Sequence, residues 1–234
     1  MNKLEIANVS KNYKDVKALD GFSVTMTDGC WGLLGQNGAG KSTLMRILAT
    51  VLSYDSGKVT LNGLDIKNDK KEYLKSITFM PQEFGFYPFF TAAEIMEYFA
   101  ALKGVTLDKE RRDSILEEVN LLDVKNKKVG AFSGGMKRRL GIAVSYINDA
   151  QLMILDEPTA GLDPKERYLF KNKICEIKKD RMIIVSTHIV SELTEMCDHI
   201  CFVHKGKLVK VADKNEDGSF MMDLEQEYIK MVEQ

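Results

Sequence analysis

Apolar positions near the N-terminus fall in short β-branched and aromatic stretches. They are broken by turn signals at Asn12, at Asp20 with Gly21 and at Asp28 with Gly29, which predicts two antiparallel strands between Leu4 and Met26. A third strand over residues 30–34 runs into a glycine loop, and residues 41–52 place Leu44, Ile47, Leu48 and Val51 on one buried stripe of a helix. Further strands are expected at 57–61 and 77–80. From 91 to 148 the period turns helical, with segments near 91–102, 108–119 and 133–147. Strand patterning returns at 152–155, 182–186 and 200–203, separated by helices near 163–179 and 189–196. Strands alternating with helices imply an α/β protein with a mostly parallel sheet. The helical stretch interrupts that alternation, so the expected division is an α/β core with an N-terminal antiparallel β part (1–90 and 149–212), an inserted α-helical subdomain (91–148) and a C-terminal helix (213–234). In the last of these, after a loop over 213–218, Leu224, Tyr228 and Met231 form a helical stripe. Packing on its own domain is the simpler use of that stripe; a dimer contact is the alternative.

A length of 234 residues suits one domain with a subdomain. With 33 Lys and Arg against 34 Asp and Glu, the chain carries no overall field that would hold it to nucleic acid or an anionic membrane. No apolar run approaches the roughly 18–20 residues needed to span a bilayer, and the first ten residues do not form a secretory signal. The expectation is a cytosolic protein with no direct membrane insertion and no nucleic-acid partner. Four irregularly spaced cysteines fit reduced thiols.

Residues 35–43 read Gly-Gln-Asn-Gly-Ala-Gly-Lys-Ser-Thr, a P-loop. Its glycines let backbone N–H groups converge on an anion, the following helix adds its positive end, Lys41 reaches the terminal phosphates of ATP and Ser42 ligates Mg²⁺. The strand at 152–155 ends in Asp156 and Glu157. An apolar run ending in two acids is also what a strand entering a solvated turn looks like. Beside a P-loop, Asp156 is placed to hold Mg²⁺ and Glu157 to act as general base on the attacking water.

At this point the chain resembles the nucleotide-binding subunits of ATP-binding cassette (ABC) transporters. Phe-Ser-Gly-Gly-Met over residues 132–136 is similar to their signature, Leu-Ser-Gly-Gly-Gln, with Phe132 and Met136 departing from the commonest form while Ser133, Gly134 and Gly135 are kept. Met136 is similar to exporter-type subunits that work with a separate membrane protein. The resemblance implies further roles: Tyr13 stacking on adenine, Gly35, Asn37, Gly38, Gly40, Lys41, Ser42 and Thr43 around the phosphates, and Gln82 contacting Mg²⁺ or water. It also implies that Asp163, in Ala-Gly-Leu-Asp-Pro at 160–164, lies in the loop that crosses a dimer and that His188 holds the γ-phosphate. Seven motifs fall in order over residues 13–188.

The family reading implies a P-loop NTPase core and a head-to-tail homodimer, or a heterodimer with a second cassette, each ATP lying between one P-loop and the partner's Ser133–Gly135 segment. It implies an ATPase with catalytic Glu157, His188, Gln82 and Lys41, peripheral on the cytosolic face and driving an integral membrane permease subunit. Export of a drug, peptide or bacteriocin-like substrate is the leading expectation. An importer subunit, or a soluble cassette ATPase such as one for iron–sulfur assembly, is the alternative; a non-catalytic regulator would need a damaged Lys41, Asp156, Glu157 or His188. Five aromatics, Phe84, Phe86, Tyr87, Phe89 and Phe90, are divided between subdomain core and an apolar groove for the membrane partner. The cluster Cys197, His199, Cys201 and His204 lacks the close pairs of a zinc site. Lys137, Arg138, Arg139 and the run 125–128 are expected to be solvated charges.

Overall fold

The computed structural model describes residues 1–83 and 85–233. A four-stranded antiparallel sheet, in the order β2-β1-β4-β5, is formed by β1 (Lys3–Tyr13), β2 (Val16–Thr27), β4 (Ser56–Leu61) and β5 (Leu64–Asp65). The second sheet has six strands, β3 (Gly29–Leu34), β6 (Ile77–Met80), β7 (Leu152–Asp156), β8 (Met182–Ser186), β9 (His199–His204) and β10 (Lys207–Asp213), in the order β10-β9-β3-β8-β7-β6. All of its pairs are parallel except β9 with β10. The helices are α1 (Lys41–Leu48), α2 (Lys70–Lys75), α3 (Ala92–Lys103), α4 (Lys109–Glu118), α5 (Gly134–Ser145), α6 (Pro164–Ile177), α7 (Val190–Met196) and α8 (Leu224–Val232).

The central strands are continuous apolar runs because both faces of the sheet are covered. Leu152 and Ile154 of β7, Met182 and Ile184 of β8, and Trp31 and Leu33 of β3 face a core shared with α1 and the antiparallel sheet. Their neighbours Met153, Leu155, Ile183, Val185, Cys30 and Leu34 face a second core shared with α3 to α8. That second core is one connected cluster, so the helices between β6 and β7 share their apolar packing with the sheet. Trp31 donates its indole N–H to the Thr27 carbonyl at 2.9 Å and stacks on His199 with ring centroids 4.1 Å apart.

The first hairpin turns at residues 14–15, with Lys14 at φ 48°, and not at Asn12 or Asp20. Asp20 and Gly21 instead lie inside β2, opposite register shifts in β1 that absorb the left-handed Gly21. Helix α1 stops four residues before the predicted end, and Val51 is 68% exposed instead of lining a buried stripe. The stop is a Schellman arrangement: Thr50 N donates to the Ile47 carbonyl and Val51 N to that of Arg46, with Thr50 left-handed at φ 57°. A β-branched residue is costly there, so Thr50→Gly is expected to stabilise the protein by about 1 kcal/mol. Thermal unfolding should show a midpoint roughly 2–4 °C higher, and a lower midpoint would refute the strain.

Strands β5 and β10 and helix α2 are additions to the predicted elements. Each of these strands follows a two-residue left-handed turn, Asn62 with Gly63 and Lys205 with Gly206.

Candidate nucleotide site

The loop between β3 and α1 arches over solvent at Gln36, Asn37 and Gly38, while Gly35, Ala39, Gly40 and Lys41 are buried. Gly35 is forced by space: a Cβ there would lie 2.3 Å from the Val203 carbonyl oxygen. Gly40 is forced twice, by φ 106° and by the Ala18 carbonyl 2.5 Å from an added Cβ. The loop is thus pressed between β2 and the β9–β10 turn, with Gly206 N bonded to the Ala39 carbonyl and Asp20 N to that of Gly206.

Helices α3, α4, α5, α6 and α8 each receive a side-chain cap, from Thr91, Asp108, Ser133, Asp163 and Asp223. Helix α1 begins at Gly40 with no side-chain cap and no acid in its first turn. Helices α2 and α7 also start without a side-chain cap but carry an acid in the first turn, so α1 has the start whose unpaired first-turn N–H groups and positive end best suit an anion. Lys41 Nζ donates to the carbonyls of Gly35 at 2.6 Å and Gln36 at 3.0 Å. Burial lowers the Lys41 pKa, and the carboxylates of Glu157 and Asp156 oppose that shift. Half-buried Thr43 follows on the first turn.

Across the sheet, Asp156 is 1% exposed and its Oδ1 accepts from Ser186 Oγ at 2.6 Å and from Ser42 Oγ at 3.3 Å. A hydroxyl and a carboxylate brought together from two elements form an all-oxygen donor set that suits a hard divalent cation such as Mg²⁺. Glu157 follows in the left-handed region at φ 48°. Its N–H donates to the Ser186 carbonyl and hydroxyl at 3.1 and 3.0 Å, and its carboxylate lies 3.4 Å from His188 Nδ1. Lys41, Ser42, Asp156, Glu157 and His188 thereby gather at the C-terminal ends of β3, β7 and β8, where open α/β sheets bind ligands.

The other predicted residues sit around this centre. Tyr13 is 44% exposed at the tip of the hairpin that carries Ala18 against Gly40. Gln82 is exposed on the loop after β6, and with Gly134, Gly135 and Gly161 it lines one open cleft of about 560 Å³. Ser133 Oγ caps α5 by accepting from Met136 N at 3.2 Å. Asp163 caps α6 in a reciprocal pair with Glu166, whose carboxylate accepts from Asp163 N. Among the described residues, no hydrogen bond joins the Ser133 to Gly135 segment to the P-loop of the same chain. Of the aromatic run, Phe86 and Phe90 pack on the core, whereas Tyr87 and Phe89 are 52% and 79% exposed. Phe84 lies outside the described residues. Cys197 and Cys201 are buried, and His199 pairs with Asp213 at 2.7 Å.

The expectation of solvated charges is overturned at Arg138, Arg139 and Lys125, whereas residues 126–128 of the run are exposed as expected. Arg138 is a buried residue, only 6% exposed, bonded to backbone carbonyls; Arg139 reaches the Val119 and Asn120 carbonyls and Glu166, and Lys125 pairs with Asp113 at 2.5 Å. Arg138 and Arg139, in the first turns of a helix that packs on the sheet, turn toward protein carbonyls, which a charge count along the chain does not register.

The pattern of the ABC transporter family matches residues 19–160, more than half of the chain. The chain belongs to the ABC transporter family. It is 35% identical over 213 residues to a Nod factor export ATP-binding protein I of Rhizobium etli, covering 89% of this chain and 67% of that protein. It is 37% identical over 210 residues to a bacitracin transport ATP-binding protein of Bacillus licheniformis, covering 88% and 68%. The solved structure of an ATP-binding subunit of an ABC transporter superposes with a TM-score of 0.88 at 26% identity, covering 98% of this cassette and 99% of that chain. A dimeric bacterial ABC transporter cassette shares the fold at a TM-score of 0.81 and 24% identity, covering 90% and 98%. The protein is an ATP-binding, ATP-hydrolysing cassette of this family with the expected P-loop NTPase fold. Among the described residues, no helix is long and apolar enough to cross a membrane.

Proposed function

We propose that this cassette powers export through a separate membrane permease, cycling between an ATP-bound head-to-tail dimer and an open state. The observation that carries the reading is the convergence of Lys41, Ser42, Asp156, Glu157 and His188 on an uncapped helix start. Glycines 35, 38 and 40 with Asn37 and Thr43 form the phosphate cradle and Tyr13 stacks on adenine. Ser42, Asp156 and Gln82 hold Mg²⁺, which when bound offsets phosphate charge. Glu157 takes the proton of the attacking water and His188 holds the γ-phosphate. Ser133, Gly134 and Gly135 contribute to the partner's site, with Asp163 on the crossing loop. In this reading residues 91–148 act as a subdomain whose orientation follows nucleotide state.

Export is favoured by relatives named for Nod factor export and linearmycin resistance. A drug, peptide or bacteriocin-like cargo is the class proposed, with the cassette peripheral on the cytosolic membrane face. Tyr87 and Phe89, exposed on the segment after Gln82, are the surface for the permease. The test is co-expression with a candidate membrane protein encoded beside it, followed by reconstitution in vesicles. Cargo-stimulated ATP turnover and cargo movement away from the cassette side are expected. A cassette that hydrolyses ATP but enters no membrane complex would instead favour a soluble ATPase.

A further inference from the structure

Arg138 sits in the first turns of α5, directly behind the Ser133 cap. Its Nη1 donates to the Gln82 carbonyl at 2.6 Å and is 3.5 Å from that of Pro81, and its Nη2 donates to the Glu157 carbonyl. One buried guanidinium therefore joins the loops that follow β6 and β7 to the helix that carries Ser133, Gly134 and Gly135. A planar fork with five donors suits this task, whereas an ammonium offers a compact point charge with no fork to span two loops.

The Glu157 backbone needs such a hold. A non-glycine residue at φ 48° is strained and persists only where its surroundings over-determine it. Ser186 fixes its N–H from β8 and Arg138 fixes its C=O from α5. Any turn of the helical segment that carries Ser133 toward a partner's nucleotide must carry Arg138 with it.

We infer that Arg138 is a positioning residue that ties the placement of Glu157 and Gln82 to the orientation of the signature helix. The inference rests on the roles proposed above for those two residues. Arg138 acts through the two backbones it holds; its charge also faces the Glu157 and Asp156 carboxylates, an interaction that Arg138→Lys retains.

The test compares the full-length wild type with Arg138→Met and Arg138→Lys. For Arg138→Met, kcat for MgATP is expected to fall about 10- to 100-fold, the scale of a misplaced catalytic group. KM should stay within about threefold, because the P-loop is untouched. Arg138→Lys should lie between the two, since it keeps the charge and loses the fork. Without nucleotide, amide exchange in Arg138→Met should accelerate at the Gln82 and Glu157 loops and stay unchanged in β9. That readout does not need turnover, and Arg138→Lys supplies it if the methionine variant does not fold. Unchanged exchange in both loops, or a wild-type kcat, overturns the inference, as does a loss confined to KM. If Glu157→Gln turns over normally, the role of Glu157 falls instead; if Glu157→Gln is dead and Arg138→Met is normal, only this inference falls.

Discussion

Glu157→Gln is expected to bind ATP and fail to hydrolyse it. The substitution keeps the side-chain length and the left-handed backbone, and removes only the group able to accept a proton beside His188. A positioned general base contributes about 10²- to 10⁴-fold, so steady-state phosphate release should fall by that factor. Nucleotide affinity should hold or rise, because the lost charge sat within reach of incoming phosphates. If the dimer forms around unhydrolysed ATP, sizing of the variant with ATP should give a species of twice the mass that is absent without nucleotide. A variant that turns over within about threefold of wild type would remove Glu157 from the chemistry.

The second large effect belongs to Lys41. Its ammonium is buried and spans the loop it leads out of, bonded to the Gly35 and Gln36 carbonyls. A bound triphosphate offers a stronger acceptor in a position the helix already favours. Lys41→Met keeps much of the volume and removes the charge, so ATP affinity should weaken about 100-fold, equal to about 2.7 kcal/mol. Equilibrium titration with a fluorescent ATP analogue measures this directly. The two predictions separate binding from chemistry: Lys41→Met should lose affinity, Glu157→Gln should lose only turnover. Wild-type affinity in Lys41→Met would mean that the amide cradle alone carries the phosphates.

Where the sequence was legible, one signal sufficed locally. Runs buried on both faces, such as Met182 to Val185, leave no polar position and read as strands. The P-loop residues were legible because close backbone approach admits only glycine at Gly35 and Gly40. Strand β10 was missed because it is an edge strand, with Lys207, Val209 and Lys210 exposed, and its pattern resembles a loop. The Lys205–Gly206 turn was the available signal. Helix α2 was hidden by its charges; only Tyr73, bonded through its hydroxyl to the Leu48 carbonyl at 2.7 Å, ties it inward. The end of α1 was misread because hydrophobic spacing continued to Val51, while the left-handed Thr50 that stops the helix belongs to a residue type rarely found there. Arg138 could not be read at all. Its partners are carbonyls of residues distant in sequence, and carbonyls carry no sequence identity.

The protein contains a single tryptophan, and that residue lies in β3, whose chain runs directly into Gly35. Its indole is 5% exposed, anchored through its N–H and stacked against an imidazole. Tryptophan emission of the unlabelled cassette, excited at wavelengths its eight tyrosines do not absorb, therefore comes from one dry, fixed position at the root of the phosphate loop. Emission colour and intensity become a direct optical readout of whether that strand and its loop hold together as nucleotide, denaturant or a partner is added.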